Sequence, residues 1–212
     1  VRLARRRQGV AGDGRGPPPA AMLLARALSR RANYCFKAGC VCEPGGDVQT
    51  EYFDEADRCV SEAVELMAGA EAMIVGEAVL VGGVTTLCRA HSLVRRDLAR
   101  EAHREGLRAM AQFYHAEAIL RRSVGPANEK SIFTFGNLSE LFWQDFREFY
   151  LGFLHRRQSC IVAVRVFGPE HANTVRTLRE LQHLLQAQGW ADFEAIVRSG
   201  RPELLSPAAL AQ

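Results

Sequence analysis

The 212-residue sequence lacks the features that identify many protein classes. It has no secretory signal, and its longest weakly polar run, residues 72–87, is short and contains Glu77, so we expect no membrane span. It also lacks the alternation of apolar and polar residues that indicates β-strands. We therefore expect an all-α protein of the cytoplasm, where its six cysteines remain free thiols.

Catalytic and metal-binding patterns are missing as well. The sequence has no Gly-rich phosphate loop and no HExxH pair, and none of its six histidines stands beside a nucleophile motif. Cys35, Cys40, Cys42 and Cys59 form the one metal-like set, but their spacing differs from the close cysteine pairs of structural zinc sites. We expect Cys35 and Cys59 to be buried on apolar helix faces. The sequence predicts no enzymatic activity, no metal and no cofactor.

Charge gives little support to nucleic-acid binding. The formal net charge is +3, but residues 1–21 alone carry five arginines against one aspartate, which leaves the rest of the chain close to neutral. We expect residues 1–20 to be a disordered Arg/Gly/Pro-rich leader and residues 21–199 to be one helical domain. Residues 200–212 are expected to form a flexible tail.

Two similar segments point to a repeat. Gly125-Pro126 and Gly168-Pro169 lie 43 residues apart, and a helical pattern of nearly equal length follows each. A period in this range is typical of stacked helical hairpins, which act as binding surfaces more often than as catalysts. The predicted helices cover about residues 21–38, 50–68, 77–94, 98–123, 129–143, 145–167, 173–188 and 191–198.

Some local details are also predicted. Gly39 is expected to cap the first helix, and Asp97 is expected at the N-cap of the fourth. Leu107 and Tyr114 are placed on the buried side of the fourth helix. Gly82 and Gly83 weaken the third helix but allow another helix to approach closely.

The linker and helix patterns resemble a known family. Residues 167–174 (FGPEHANT), residues 137–142 (NLSELF) and residues 52–56 (YFDEA) are similar to the tetratricopeptide repeat, in the form of about 42 residues found in kinesin light chains and related bacterial arrays. The resemblance implies a right-handed superhelical stack of about four antiparallel hairpins. It covers roughly residues 21–198.

The same resemblance implies a peptide groove lined by the first helix of each hairpin. Carried over to this sequence, the groove positions are His91, Asn137, Glu140, Arg176, Arg179, Glu180 and His183. Asn137 is the strongest of these, because a side-chain amide both donates to and accepts from a peptide backbone.

The implied function is a non-catalytic scaffold that binds a protein or peptide partner and no small-molecule substrate. Three alternatives stay open. The repeats could be the regulatory region of a larger enzyme or signalling protein. They could bind RNA, which the basic pairs at residues 95–96, 121–122 and 156–157 would serve. The groove could also be filled by the protein's own residues 202–212.

Overall fold

The computed structural model describes residues 17–67 and 73–188, which form seven α-helices and a π-helical turn without any strand. The all-α prediction is therefore confirmed for these ranges. The helices are α1 (Pro19–Cys40), α2 (Asp47–Leu66), α3 (Met73–Val94), α4 (Ala99–Val124), α5 (Glu129–Glu140), α6 (Phe149–Phe167) and α7 (Ala172–Gln188). The leader up to residue 16, the predicted eighth helix and the tail lie outside the described residues.

Successive helices pack side by side in opposite directions. In the α3–α4 pair Gly76 lies against Leu120 and Gly83 against Phe113, so chain positions rise in one helix as they fall in the other. The same relation holds for α1 with α2, α5 with α6, and α6 with α7. Each of these pairs is joined by a short connection, which favours antiparallel neighbours.

The helices α3 and α5 instead run parallel. Lys130 Nζ lies 3.4 Å from Glu77 Oε1, and His91 Nε2 lies 3.2 Å from Asp145, so positions rise together in both segments. The largest buried cluster extends from α1 to the π-helical turn, and two smaller clusters join α5 to α6 and α6 to α7. Each helix thus buries its apolar side against the helices that precede or follow it in the chain.

Glycines set the spacing between α3 and α4. A Cβ added at Gly83 would lie 2.7 Å from Phe113 Cε1, and one added at Gly76 would lie 2.7 Å from Leu120 Cγ. Both neighbours are fully buried, so they have little room to move. The prediction that Gly83 allows a close helix approach is confirmed, and Gly76 does the same two turns earlier on the same face of α3.

The predicted helix ends near Gly39 and Asp97 were wrong. Gly39 lies inside α1, buried with its Cα against the ring of Phe53, and the helix continues to Cys40. The N-cap of α4 is Leu98, which makes no side-chain cap bond, while Asp97 occupies the turn before it with φ +58°. Tertiary packing and the left-handed turn overrode the capping preferences of these residues.

The buried face of α4 was also misplaced in part. Leu107 and Tyr114 are each 44% exposed, while Gly106, Ala109 and Phe113 face the core. The helix turns its small residues toward α3, because the two helices approach closely there. The burial of Cys35 and Cys59 was predicted correctly.

The predicted fifth helix divides into two parts. After Glu140 the chain forms the π-helical turn Leu141–Asp145, and α6 begins at Phe149, four residues after the predicted start at Asp145. Helices α2 and α3 also begin earlier than expected, at Asp47 and Met73. A π-helical turn inserts an extra residue, so it re-aims the side chains that follow Glu140.

Among the helices that the structure describes, only α3 is long and apolar enough to cross a membrane. Its apolar window is 67% buried inside the protein, against α1, α2 and α4. This burial is what the core helix of a helical domain shows.

Candidate functional site

The exposed faces of α3, α5 and α7 form what we call the first-helix surface. Its members are exposed or half-buried and follow one another at spacings of three and four residues along each helix. They are Val81, Val84, Cys88 and His91 on α3, Phe133, Asn137 and Glu140 on α5, and Arg176 and Glu180 on α7.

Two cross-helix ion pairs frame the apolar part of this surface. One joins Lys130 to Glu77, and the other joins His91 to Asp145 of the π-helical turn. Between these pairs along the chain lie the half-buried Val81 and Val84 of α3, together with Phe133 of α5, which is 40% exposed. The surface therefore carries apolar side chains with charged groups at both ends.

A buried arginine connects α5, α6 and α7. Arg156 of α6 donates from Nη1 to Glu180 Oε2 at 2.5 Å and from Nη2 to Glu140 Oε1 at 3.4 Å. It also donates to the carbonyl oxygen of Gly136 at 3.4 Å. The side chain of Arg156 is 8% exposed, whereas Glu140 is 50% and Glu180 is 40% exposed. The carboxylates therefore keep one side open to solvent.

The structure places three of the predicted groove residues around this centre. Glu140 and Glu180 share Arg156, and Arg176 Nε lies 3.9 Å from Glu180 Oε1. Arg179 and His183 lie exposed on α7 and make no ion pair with the described part of the chain.

His91 is linked to the same region through its partner. The hydrogen bond to Asp145 raises the pKa of His91, the nearby Glu140 carboxylate contributes, and burial and Arg95 oppose the increase. The imidazolium form is thus favoured beside two carboxylates.

Asn137 is half-buried and uses part of its hydrogen-bonding capacity within its own helix. Its Nδ2 donates to the carbonyl oxygen of Phe133, one turn earlier, at 2.8 Å. This bond fixes the side chain along α5 and leaves Oδ1 and the second N–H available to a ligand. Within the described residues, no hydrogen bond joins Asn137 to another predicted groove residue.

Sequence reasoning placed Arg156 in a basic pair that could serve RNA binding and missed its carboxylate partners, and it did not single out Asp145. The signal for Arg156 was its spacing, because it lies four residues after Gly152 and three before Ser159, both buried on the same face of α6. An arginine on an apolar stripe needs carboxylate partners. Asp145 had no such signal, since the π-helical turn that directs it toward His91 follows no pattern in the sequence.

A second polar feature is a cleft of about 300 Å³ among α2, α3 and the start of α4. Arg89, Arg96 and Arg104 line it, together with Glu101 and Glu105. Arg89 is paired with Asp54 and Asp57 at 2.9 and 3.2 Å, so most of its charge is already balanced.

The cysteines form no metal centre in the described ranges, where no three His, Cys, Asp or Glu side chains converge. Cys35, Cys59 and Cys160 are buried, and burial raises the pKa of Cys160 to about 12. Cys40 and Cys88 lie close together, with their sulfur atoms 4.0 Å apart.

An aromatic cluster lies on the other side of α5. His155 stacks on Phe142 with centroids 5.2 Å apart and on Phe135 at 6.1 Å, and its Nε2 shares a hydrogen bond with Tyr114 Oη at 2.9 Å. Burial among these rings lowers the pKa of His155 to about 4. The ring is therefore neutral near pH 7 and acts as a packing group.

No protein-family model matches the sequence, and no curated protein is significantly similar to it. The resemblance to tetratricopeptide repeats therefore stands on the residues quoted above.

Proposed function

We propose that this protein is a non-catalytic helical-repeat scaffold of the tetratricopeptide kind, whose hairpins stack into a right-handed superhelix. Antiparallel neighbouring helices support this arrangement, and so does the parallel course of α3 and α5. The two glycine-proline linkers, which precede α5 and α7, mark equivalent points of successive hairpins. The six free thiols favour a reducing compartment such as the cytoplasm.

The proposed binding site is the first-helix surface, and the proposed partner is a peptide segment or a helix of another protein. The observation that carries this proposal is the exposed Phe133, placed with Val81 and Val84 between two cross-helix ion pairs. Apolar side chains with a polar rim are the usual composition of a protein-binding surface.

The polar side chains fit the recognition of a peptide. The open amide groups of Asn137 are suited to one peptide unit of the partner, since they include one donor and one acceptor. The half-exposed carboxylates of Glu140 and Glu180 are held in place by Arg156 and can accept from a lysine, an arginine or backbone N–H groups. We therefore expect a partner with apolar residues next to a basic residue.

A peptide-display selection tests the site. Peptides enriched on the wild-type protein are measured for binding to Phe133→Ala and Asn137→Ala, and Leu107→Ala serves as the matched control. Phe133 and Leu107 are 40% and 44% exposed on different helices, so their substitutions remove similar exposed apolar groups.

The expected result is at least a tenfold loss of affinity for Phe133→Ala, or about 1.4 kcal/mol, with no change for Leu107→Ala. Enriched peptides should also be rich in basic and apolar residues. Equal binding by all three variants, or a selection without enrichment, would contradict the proposed site. Binding that weakens steeply with salt and favours RNA over peptides would support the nucleic-acid alternative.

A further inference from the structure

Two thiols meet where α1 ends beside α3. Cys40 Sγ lies 4.0 Å from Cys88 Sγ, although the residues are 48 positions apart in the chain. Cys40 is exposed and Cys88 is half-buried, so solvent reaches this pair. Cys42, two residues after Cys40, is held against the end of α1 by a hydrogen bond from its Sγ to the carbonyl oxygen of Ala38.

The distance suits covalent joining. A disulfide bond is about 2 Å long, so the two sulfur atoms need to approach by about 2 Å, a change within the reach of side-chain rotation. The two cysteines are carried by helices that pack against each other, which keeps the thiols together in the folded protein. A close pair of thiols that solvent reaches, on helices that pack together, has the geometry for oxidation to a disulfide.

We propose that Cys40 and Cys88 form a reversible disulfide, which joins α1 to α3 when the protein encounters a small disulfide such as oxidised glutathione. The Cys40 thiolate attacks one sulfur of the oxidant, whose S–S bond breaks, and one glutathione thiolate leaves with the bonding electron pair. The Cys88 thiolate then attacks the Cys40 sulfur of this mixed disulfide and releases the second glutathione. The two protons lost by Cys40 and Cys88 are taken up by the two glutathione thiolates, so the oxidant is reduced to two thiols.

The surroundings determine the order of attack. Burial raises the pKa of Cys88 to about 12, Cys40 and Glu140 contribute, and Arg95 opposes the increase. Burial also raises the pKa of Cys40, which the hydrogen bond with Cys88 partly offsets. The more exposed Cys40 is therefore the first nucleophile, and closure by Cys88 is the slow step at neutral pH.

The bridge would act at the partner surface. Cys88 lies between Val84 and His91 on the exposed face of α3, so a bond to Cys40 fixes α1 beside the first-helix surface. This consequence rests on the proposed function, whereas formation of the bond does not.

Peptide mapping of the full chain tests the bond. The protein is incubated with excess oxidised glutathione, free thiols are alkylated, and the monomer is isolated and digested with trypsin. Trypsin leaves Cys40 and Cys42 in one peptide and Cys59 and Cys88 in another, so variants are needed to assign the bond. We expect the cross-linked peptide pair in wild type, Cys42→Ser and Cys59→Ser, and its absence from Cys40→Ser and Cys88→Ser.

The oxidised monomer should also unfold at a temperature about 5 °C higher, and a reductant should reverse the change. Cys88→Ser treated in the same way should show no increase. A cross-link that persists in Cys40→Ser or Cys88→Ser would overturn the proposal, as would glutathione adducts without a cross-link in wild type. A cross-link that lowers the unfolding temperature would also overturn it, because the bond would then strain the native packing of α1 against α3 instead of fitting it. None of these measurements needs a partner, so they are independent of the proposed function.

Discussion

Arg156 of α6 donates a hydrogen bond to Glu180 of α7 across 2.5 Å, and the same guanidinium reaches Glu140 of α5. One buried cation thus connects three helices at the edge of the proposed partner surface. Its two carboxylates are partly open to water, so they retain hydration that a fully buried ion pair loses.

Replacing this cation should weaken the packing of α7. We expect Arg156→Met, which keeps the apolar stem, to lower the free energy of unfolding by about 2 kcal/mol, less than the loss for a fully buried pair because the carboxylates remain hydrated. Urea denaturation of Arg156→Met, Glu180→Gln and the double variant gives the coupling free energy between these two side chains, which is expected to be about 1 kcal/mol. Coupling with Glu140→Gln should be smaller, since that contact is longer. Additive effects of the Arg156 and Glu180 substitutions would be evidence against a shared interaction.

Two glycine substitutions should change stability in opposite directions. At Gly83 an added methyl group would lie 2.7 Å from the fully buried Phe113, so Gly83→Ala should destabilise the protein by about 2 kcal/mol. At Gly106 it would lie 3.4 Å from Phe146, an ordinary contact, so Gly106→Ala should stabilise α4 by roughly 0.5–1 kcal/mol through its helix propensity. Thermal unfolding of both variants measures the difference. Equal effects would show that α3 and α4 are not held this close.

His155 should make stability depend on pH. Burial lowers the pKa of His155 from its ordinary 6.5 to about 4, so as pH falls below 6.5 the unfolded state binds a proton that the native state excludes. The stability contributed by the neutral ring is complete above pH 6.5 and is lost as pH falls toward 4. Between about pH 7.5 and pH 5 the loss should be at most about 2 kcal/mol.

Urea denaturation at these two pH values measures the loss. His155→Phe, which preserves the stacked ring, should reduce it, whereas His115→Gln on the exposed side of α4 should leave it unchanged. An identical pH dependence in wild type and His155→Phe would exclude His155 as the cause.

Gln49 should be important for the connection between α1 and α2. Its Oε1 accepts hydrogen bonds from Gly45 N at 2.7 Å and Ser92 Oγ at 2.8 Å, and its Nε2 donates to the carbonyl oxygen of Gly39 at 3.0 Å. We expect Gln49→Leu to lower the free energy of unfolding by about 2 kcal/mol, because it removes three hydrogen bonds of a buried side chain and leaves the half-buried Gly45 amide without its acceptor.

Hydrogen exchange at the Gly45 amide should also become faster in this variant. Gln144→Leu, at an exposed position, is the control and should change stability by less than about 0.5 kcal/mol. Unchanged exchange at Gly45 in Gln49→Leu would show that the hydrogen bond does not hold the loop.

Much of the helical content could be predicted from the sequence, because periodic apolar residues and the two glycine-proline breaks are local signals. The ends of α7 were predicted within one residue, and the burial of Cys35 and Cys59 on apolar helix faces was predicted correctly. The buried face of α4 was not predicted correctly, because its apolar residues are spread around the helix. Only the approach of α3 selects Phe113 over Tyr114 for burial.

The sequence by itself determined that the described part of this chain is helical and where most of its helices lie. Only the tertiary structure decided that Arg156 joins Glu140 to Glu180, that Asp145 reaches His91, and that Cys40 meets Cys88. The reason is physical: periodicity records whether a side chain is buried, whereas these contacts depend on the spacing and register of helices far apart in the chain. Glycines, a π-helical turn and buried ions set that register through packing, which leaves no regular pattern in the sequence.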